Sequence, residues 1–178
     1  MLQGPGCLNF SLILRIDSDP ALQTVTGTNR FVMERNRAAL EPLLTRSSRS
    51  FKSEIRNPKS EIFVRGHTDL AIGDRKFSGN AQRRRRRAVL FHGSFLLNFD
   101  LALIEKVLRM PSKQPGYRKS RSHGEFLMNW NVSAKEVKAA LRQAWRAIGE
   151  LKGCPREQTQ KLVLEKYSNE AWNFKNSP

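Results

Sequence analysis

The chain has 178 residues, 39% of them hydrophobic, with 32 Lys and Arg against 16 Asp and Glu for a net charge of +16. That length suits one domain with a real core, and the apolar content, ten Phe included, argues against wholesale disorder. The charge favours an acidic partner (nucleic acid, an anionic surface, a phosphorylated small molecule or an acidic protein) without choosing among them.

Two cysteines, Cys7 and Cys154, are too few for a disulfide framework. The N-terminus lacks the basic n-region of a signal peptide. No apolar run approaches the roughly 18 residues that span a bilayer. A soluble, cytoplasmic protein with no membrane partner is expected.

In chain order, Gly4-Pro5-Gly6 reads as a turn. Leu8, Phe10, Leu12, Leu14 and Ile16 then alternate with Asn9, Ser11, Ile13 and Arg15, a strand with one buried face. Asn29 to Leu40 reads as a short helix ended by Pro42. The tetrad Lys-Ser-Glu-Ile occurs at 52–55 and again at 59–62, and the polar stretch 51–62 reads as an inserted loop. Asp69 to Ser78 has the form strand, Gly73-Asp74 turn, strand. Ala88 to Leu97 is a further strand. Asp100 caps a helix over Leu101–Met110 stopped by Pro111. After a basic loop, Ser133-Ala134-Lys135-Glu136 reads as a capping box opening a helix that closes at Gly153. The organisation expected is 1–153 as one domain and 154–178 as a C-terminal tail. Strands and helices are segregated, which favours an α+β fold with a mixed, mainly antiparallel sheet flanked by helices.

Seven cations and no acid lie between Arg75 and Arg87 apart from the turn before them. A solvated face is one reading. A nucleic-acid surface would interleave aromatics for base stacking, and none lies between Asn80 and Arg87. No zinc-finger, RRM or helix-turn-helix signature is present, which argues against nucleic acid. Arg84–Arg87 are expected mostly on a rim, steering an acidic partner or nucleotide. Lys76 sits just past a tight turn beside Ser78-Gly79, where a backbone can approach a ligand closely. Its ammonium suits a phosphate or a developing carbonyl oxyanion. Spacing alone leaves Lys76 open between a surface lysine and a site residue.

Asp69-Leu70, Gly73, Lys76, Ser78-Gly79 and Ala81-Gln82-Arg83, followed by His92-Gly93-Ser94 and Leu96-Leu97, resemble the biotin/lipoate protein ligase catalytic-domain family, closest to its lipoate-protein ligase branch. Gly4 to Leu12 resembles the strand after that family's glycine-rich turn, and Pro115, Tyr117-Arg118, Arg121-Ser122-His123 and Phe126-Leu127 its later basic loop. The resemblance covers residue 2 to about 150 and implies the class II biotin/lipoyl synthetase-like fold.

It also implies an activity: attaching lipoate or octanoate to a lysine of a lipoyl domain, on a 2-oxoacid dehydrogenase E2 or a glycine cleavage H protein. Ligases of the family first make acyl-AMP from ATP and Mg²⁺, whereas its transferases take the acyl group from a carrier protein. By this matching Lys76 stabilises oxyanion charge. Asp69 lies near the nucleotide or its Mg²⁺, although Thr68 stands where the motif usually has Asn. Ser78, Gly79 and Ala81 shape the acyl-adenylate wall. His92 and Gly93 face the nucleotide through backbone groups; the other reading of His92 is a satisfied strand histidine. His123 is expected to orient rather than act as a base, and His67 to be exposed. Cys7 is expected to point inward as a small hydrophobe, and Cys154 to have no basic partner.

The match begins at about Leu2, whereas family members carry an upstream segment with two arginines and a glycine-rich turn. The implied expectations are a chain lacking its N-terminal portion, a first strand at a sheet edge, and little turnover by the chain alone. An octanoyl transferase of the same fold and a non-catalytic basic binding protein remain the alternatives.

Overall fold

The computed structural model describes residues 2–50 and 61–175, with 45–50 as backbone only. Of the stretch 51–62 expected as an inserted loop, residues 51–60 lie outside the described residues, whereas Ile62 is buried and opens a strand. The chain divides into Met1–Arg146 and Ala147–Pro178.

In the first unit, strands β1 (Cys7–Arg15), β2 (Ile62–Arg65), β3 (Asp69–Ile72), β4 (Arg75–Arg84) and β5 (Ala88–Leu96) form a five-stranded sheet in the order β1-β5-β4-β3-β2. Every pairing is antiparallel. Helices α1 (Val25–Ser50), α2 (Leu101–Val107), α3 (His123–Phe126) and α4 (Ala134–Ala144) accompany it. The fold is therefore α+β, with an open antiparallel sheet flanked by helices.

β1 is an edge strand, and its period of two holds: Leu8, Phe10, Leu12 and Leu14 pack on the core while Asn9, Ser11 and Ile13 are exposed. The turn before it needs Gly6, whose φ is +90° and whose added Cβ would stand 1.9 Å from the Asn98 carbonyl oxygen. The main core joins that sheet face to α1 and α4 through Val32, Met33, Leu40, Phe77, Phe91, Phe95, Trp130 and Val137. Phe10 stacks on Phe95 at 5.3 Å, and Phe77 leans on Trp130 at 4.9 Å. A second, smaller cluster of Phe99, Ile104, Phe126 and Leu127 lies under α2 and α3.

Three helical expectations are corrected. The first helix begins at Val25, not Asn29, and runs through Pro42. A proline there removes one ladder bond, and the burial of Leu40, Leu43 and Leu44 around it supports the continuation. The helix after Ser133 stops at Ala144 rather than Gly153, followed by Arg146 in the left-handed region at φ +49°. Ile148 and Leu151, which fall within the helix expected to close at Gly153, are exposed. The reciprocal capping box forms at Ser122–Glu125, on α3, whereas Ser133 caps α4 by accepting from Lys135 N–H. Asp100 caps α2 as expected, accepting from Ala102 and Leu103, although the helix ends at Val107.

The second unit contains the short helix α5 (Arg156–Leu162), a π-helical turn over Val163–Tyr167, and α6 (Glu170–Asn173). Lys166 and Lys175 both sit over the Trp172 ring, at 4.0 and 3.7 Å. No described helix is long and apolar enough to cross a membrane.

Candidate functional site: a lysine aimed by a bulge

β3 and β4 pair Ile72↔Arg75 and Ala71↔Lys76, then Leu70↔Ser78 and Asp69↔Gly79. The register shifts between Leu70 and Ala71, so Phe77 is the extra residue of a β-bulge. In a regular strand, Lys76 and Gly79 would face opposite sides of the sheet. Here Phe77 and Ser78 both turn to the core, each at most 1% exposed. Lys76 is thereby brought onto the open face beside Asp69 and Gly79. A bulge beside a site that re-aims one side chain is a recurrent device.

The Lys76 ammonium pairs with Asp69 Oδ1 at 2.7 Å, with side-chain exposures of 25% and 14%. A pair this sheltered is screened less than a surface one. Gly79 makes it fit: a Cβ there would stand 2.9 Å from Lys76 Nζ and 3.0 Å from Cε. The other Asp69 oxygen, Oδ2, accepts from the Tyr117 hydroxyl at 2.8 Å. Burial, and then the Asp69 charge, push the Tyr117 phenol well above its usual range, so it stays a donor. The Lys76 backbone is tied too, its carbonyl accepting from Met128 N–H at 2.9 Å.

The residue before Asp69 is also clamped. Thr68 Oγ1 donates to the Asn80 carbonyl at 2.6 Å, and Asn80 Nδ2 returns a bond to the Thr68 carbonyl at 2.7 Å. Asn80 lies on the core face opposite Gly93. An added Cβ at Gly93 would stand 1.8 Å from Asn80 Oδ1 and 2.9 Å from the Phe10 ring. Gly93 therefore leaves the space that the Asn80 carboxamide occupies.

The expected site residues divide between the two faces. Asp69, Lys76, Gly79, Ala81 and His92 share the open face, with Ala81 paired to His92 and Ser11 beyond it. Gln3, Asn9 and Ser94 form a hydrogen-bonded group on the same side. Ser78 and Gly93 face the core, where Ser78 Oγ accepts from Asn80 at 3.3 Å. His67 is exposed. Among the described residues, no three of His, Cys, Asp or Glu gather as a metal site.

The later basic loop is strapped to the β3–β4 turn. Arg121 donates to the Asp74 and Tyr117 carbonyls, both at 2.9 Å, and Arg75 to the Leu127 carbonyl at 2.7 Å. Arg118 is 4% exposed, lies over the Phe126 ring at 4.8 Å, and contacts His123 Nδ1 at 3.4 Å. Burial lowers the Arg118 pKa from its ordinary value. Tyr117 carries no reactive-site signal beyond its place in that loop, and only the fold brings it to Asp69.

Two expectations change. Cys7 packs against the second cluster rather than pointing into the main core, because it shares the strand parity of Asn9. Arg84 is not a rim residue: it lies on β4 facing the start of α1. Its guanidinium donates to the Leu22 carbonyl at 2.7 Å, the Gln23 carbonyl at 3.1 Å and Thr28 Oγ1 at 2.9 Å. Arg85, Arg86 and Arg87 are exposed in the β4–β5 turn. Cys154 is exposed.

The chain is 31% identical over 120 residues to octanoyltransferase LipM of Symbiobacterium thermophilum, covering 60% of this chain and 44% of that one. It is 30% identical over 189 residues to the LipM of Exiguobacterium sibiricum, covering 94% and 68%. The chain thus spans about half the length of several such relatives. Among solved structures, it resembles a bipartite lipoate protein ligase of Thermoplasma acidophilum at TM-score 0.65 and 23% identity, covering 95% and 64%. It also resembles a lipoate-protein ligase A bound with ATP at TM-score 0.60 and 26% identity, covering 94% and 65%. Residues 1–146 match the lipoyl protein ligase A/B catalytic domain, and the chain belongs to that family.

Proposed function

We propose that this chain provides the acyl-binding face of an enzyme that attaches lipoate or octanoate to a lysine of a lipoyl domain. One observation carries the reading: in a member of this family, Lys76 is aimed by a bulge onto an open sheet face, 2.7 Å from Asp69 and over Gly79. Attack by the target lysine on an acyl carbonyl develops negative charge on oxygen. A preorganised ammonium stabilises that charge without reorganising during the reaction. Gly79, Ala81 and Ser94 keep the neighbouring surface low, leaving room for an acyl chain.

ATP and Mg²⁺ fit this face as substrate and counter-ion. The Lys76 cation suits a phosphate oxygen, and Asp69, whose two oxygens are held by Lys76 and Tyr117, would meet a phosphate-borne Mg²⁺ through the waters that ion keeps. ATP would activate the acyl group as acyl-AMP. The acyl acceptor would be an acidic lipoyl domain; the Thermoplasma ligase belongs to a lipoylation system with its own E2 lipoyl domain, which supports this class of partner.

A second reading has its own support. The LipM relatives are octanoyltransferases, and transfer from an octanoyl carrier protein needs the same oxyanion stabilisation without ATP.

The test has two arms. Calorimetry measures binding of a non-hydrolysable octanoyl-AMP analogue. Mass spectrometry follows acyl transfer to a lipoyl domain, from octanoate with ATP and Mg²⁺ or from octanoyl carrier protein without them. Binding, with transfer in one arm and its loss in Lys76→Ala, supports the reading and chooses between donors. Neither binding nor transfer by the wild-type chain overturns it.

A further inference from the structure

We propose that Tyr117 is a positioning residue for Lys76, acting through Asp69 and keeping that carboxylate from its cross-strand neighbour Arg65. The proposal rests on the reading of Lys76 as the oxyanion-stabilising group.

Asp69 has two cationic suitors. Lys76 reaches Oδ1 at 2.7 Å. Arg65 stands directly across from Asp69 in the β2–β3 register, so their side chains share a face. Arg65 is incompletely satisfied: among the described residues its Nε is buried without a hydrogen-bond partner, its guanidinium lies over the Phe63 ring at 4.8 Å, and it reaches Asp74 only at 3.7 Å. A guanidinium binds a carboxylate in a two-pronged fork better than an ammonium does. Left to itself, the Asp69 carboxylate, whose terminal torsion is soft, would turn to Arg65 and release Lys76.

Tyr117 prevents that turn. Its hydroxyl holds Oδ2 at 2.8 Å, which fixes the carboxylate plane and aims Oδ1 at Lys76. Tyr117 is itself held at two points. Its ring packs on Phe126 at 5.1 Å, and the Tyr117 backbone carbonyl accepts from Arg121 at 2.9 Å. Arg121 also binds the Asp74 carbonyl on the β3–β4 turn. The docking of the basic loop is thus transmitted to Lys76 by one hydroxyl. The competing account is that Tyr117 matters only as a ring packed on Phe126.

Tyr117→Phe keeps the ring and removes the hydroxyl, so the two accounts separate. Crystal structures of wild type, Tyr117→Phe and Tyr117→Phe/Arg65→Met are compared, alongside steady-state acyl transfer to a lipoyl domain. In Tyr117→Phe the Asp69–Lys76 pair is expected to open and Asp69 to move to Arg65. kcat should fall roughly tenfold to a hundredfold, as for an ångström-scale misplacement, with the KM for the lipoyl domain unchanged. Removing the competitor in the double variant should restore the pair and most of kcat. An intact pair in Tyr117→Phe with wild-type rates would overturn the proposal. So would a broken pair that Arg65→Met fails to rescue. If the wild-type chain neither binds the acyl-adenylate analogue nor transfers acyl groups, the functional reading fails on its own, and the crystallographic pair still decides the role of Tyr117.

Discussion

Lys76 and Gly79 stand three positions apart on one strand yet share a face of the sheet, because Phe77 is bulged between them. Their closeness is severe: an added Cβ at Gly79 would lie 2.9 Å from Lys76 Nζ. The glycine is therefore the seat on which the lysine side chain lies, and the bulge is what brings the lysine there.

Gly79→Ala should separate function from stability. The clash falls on the far end of a flexible side chain, so Lys76 can move aside at small cost. The melting temperature should stay within the few degrees expected of about 1 kcal/mol. The Asp69 pair should lengthen, and acyl transfer should fall about tenfold or more. Thermal melts and transfer assays on the same preparation check it. A large loss of stability with normal transfer would refute the seat.

Gly93→Ala should do the reverse. Its Cβ would press on the Asn80 carboxamide, 1.8 Å from Oδ1, and on the Phe10 ring, both in the packed core. Overpacking of this kind costs about 1–3 kcal/mol, occasionally more. Asn80→Ala removes the obstructing carboxamide, so the double variant should be less destabilised than the sum of the singles. Urea unfolding of the four proteins measures this coupling, and strict additivity would contradict it.

These two glycines show where sequence reasoning stops. Both belong to the quoted motif, and alternation placed the β1 core residues and the strand over 88–97. The bulge left no mark, because Arg75-Lys76-Phe77-Ser78 looks like any regular strand when its partner is unknown. The face of Ser78 depends on that register, whereas Gly93 follows the regular alternation of β5. Tyr117 and Asp69 are 48 positions apart, and only tertiary packing joins them. Pro42 read as a stop because local chemistry says so, whereas burial of Leu40, Leu43 and Leu44 overrides it. The arginine run read as mostly a rim, and strand alternation carries Arg84 inward from it.

The arginines should split on substitution. Arg84→Gln removes a charged fork from the Leu22 and Gln23 carbonyls, and bonds to a charged group contribute about 1.5–3 kcal/mol each at most. The chain should lose stability at low and high salt alike. Changing Arg85, Arg86 and Arg87 to Gln should leave stability within about 0.5 kcal/mol. That triple variant should slow association with an acidic lipoyl domain at low ionic strength and matter little at high salt. At about 3.3 Å per residue the turn lies roughly 25 Å along β4 from Lys76, so kcat at saturating acceptor should not change. Stopped-flow binding across a salt series checks both halves, and a salt-independent binding loss in the triple variant would count against steering.

Alkaline stability offers a test of Tyr117 that needs no activity. Burial and the Asp69 charge raise the phenol pKa in the folded chain, while the unfolded chain keeps the ordinary value near 10. Above that pH the unfolded state has lost a proton that the folded state still binds. Folding stability from this group is therefore fully present below about pH 10 and declines as pH rises beyond it. The slope has a ceiling of about 1.4 kcal/mol per pH unit, and the phenol's partial exposure keeps it lower. Tyr117→Phe lacks the titration, whereas Tyr167 and the lysines contribute to both proteins and cancel in the difference. Urea midpoints of the two proteins should hold a constant gap from pH 7 to about 9.5 and converge, or cross, above about 10. A gap that stays constant to pH 11 would mean that the Tyr117 hydroxyl is not held against the Asp69 carboxylate in solution.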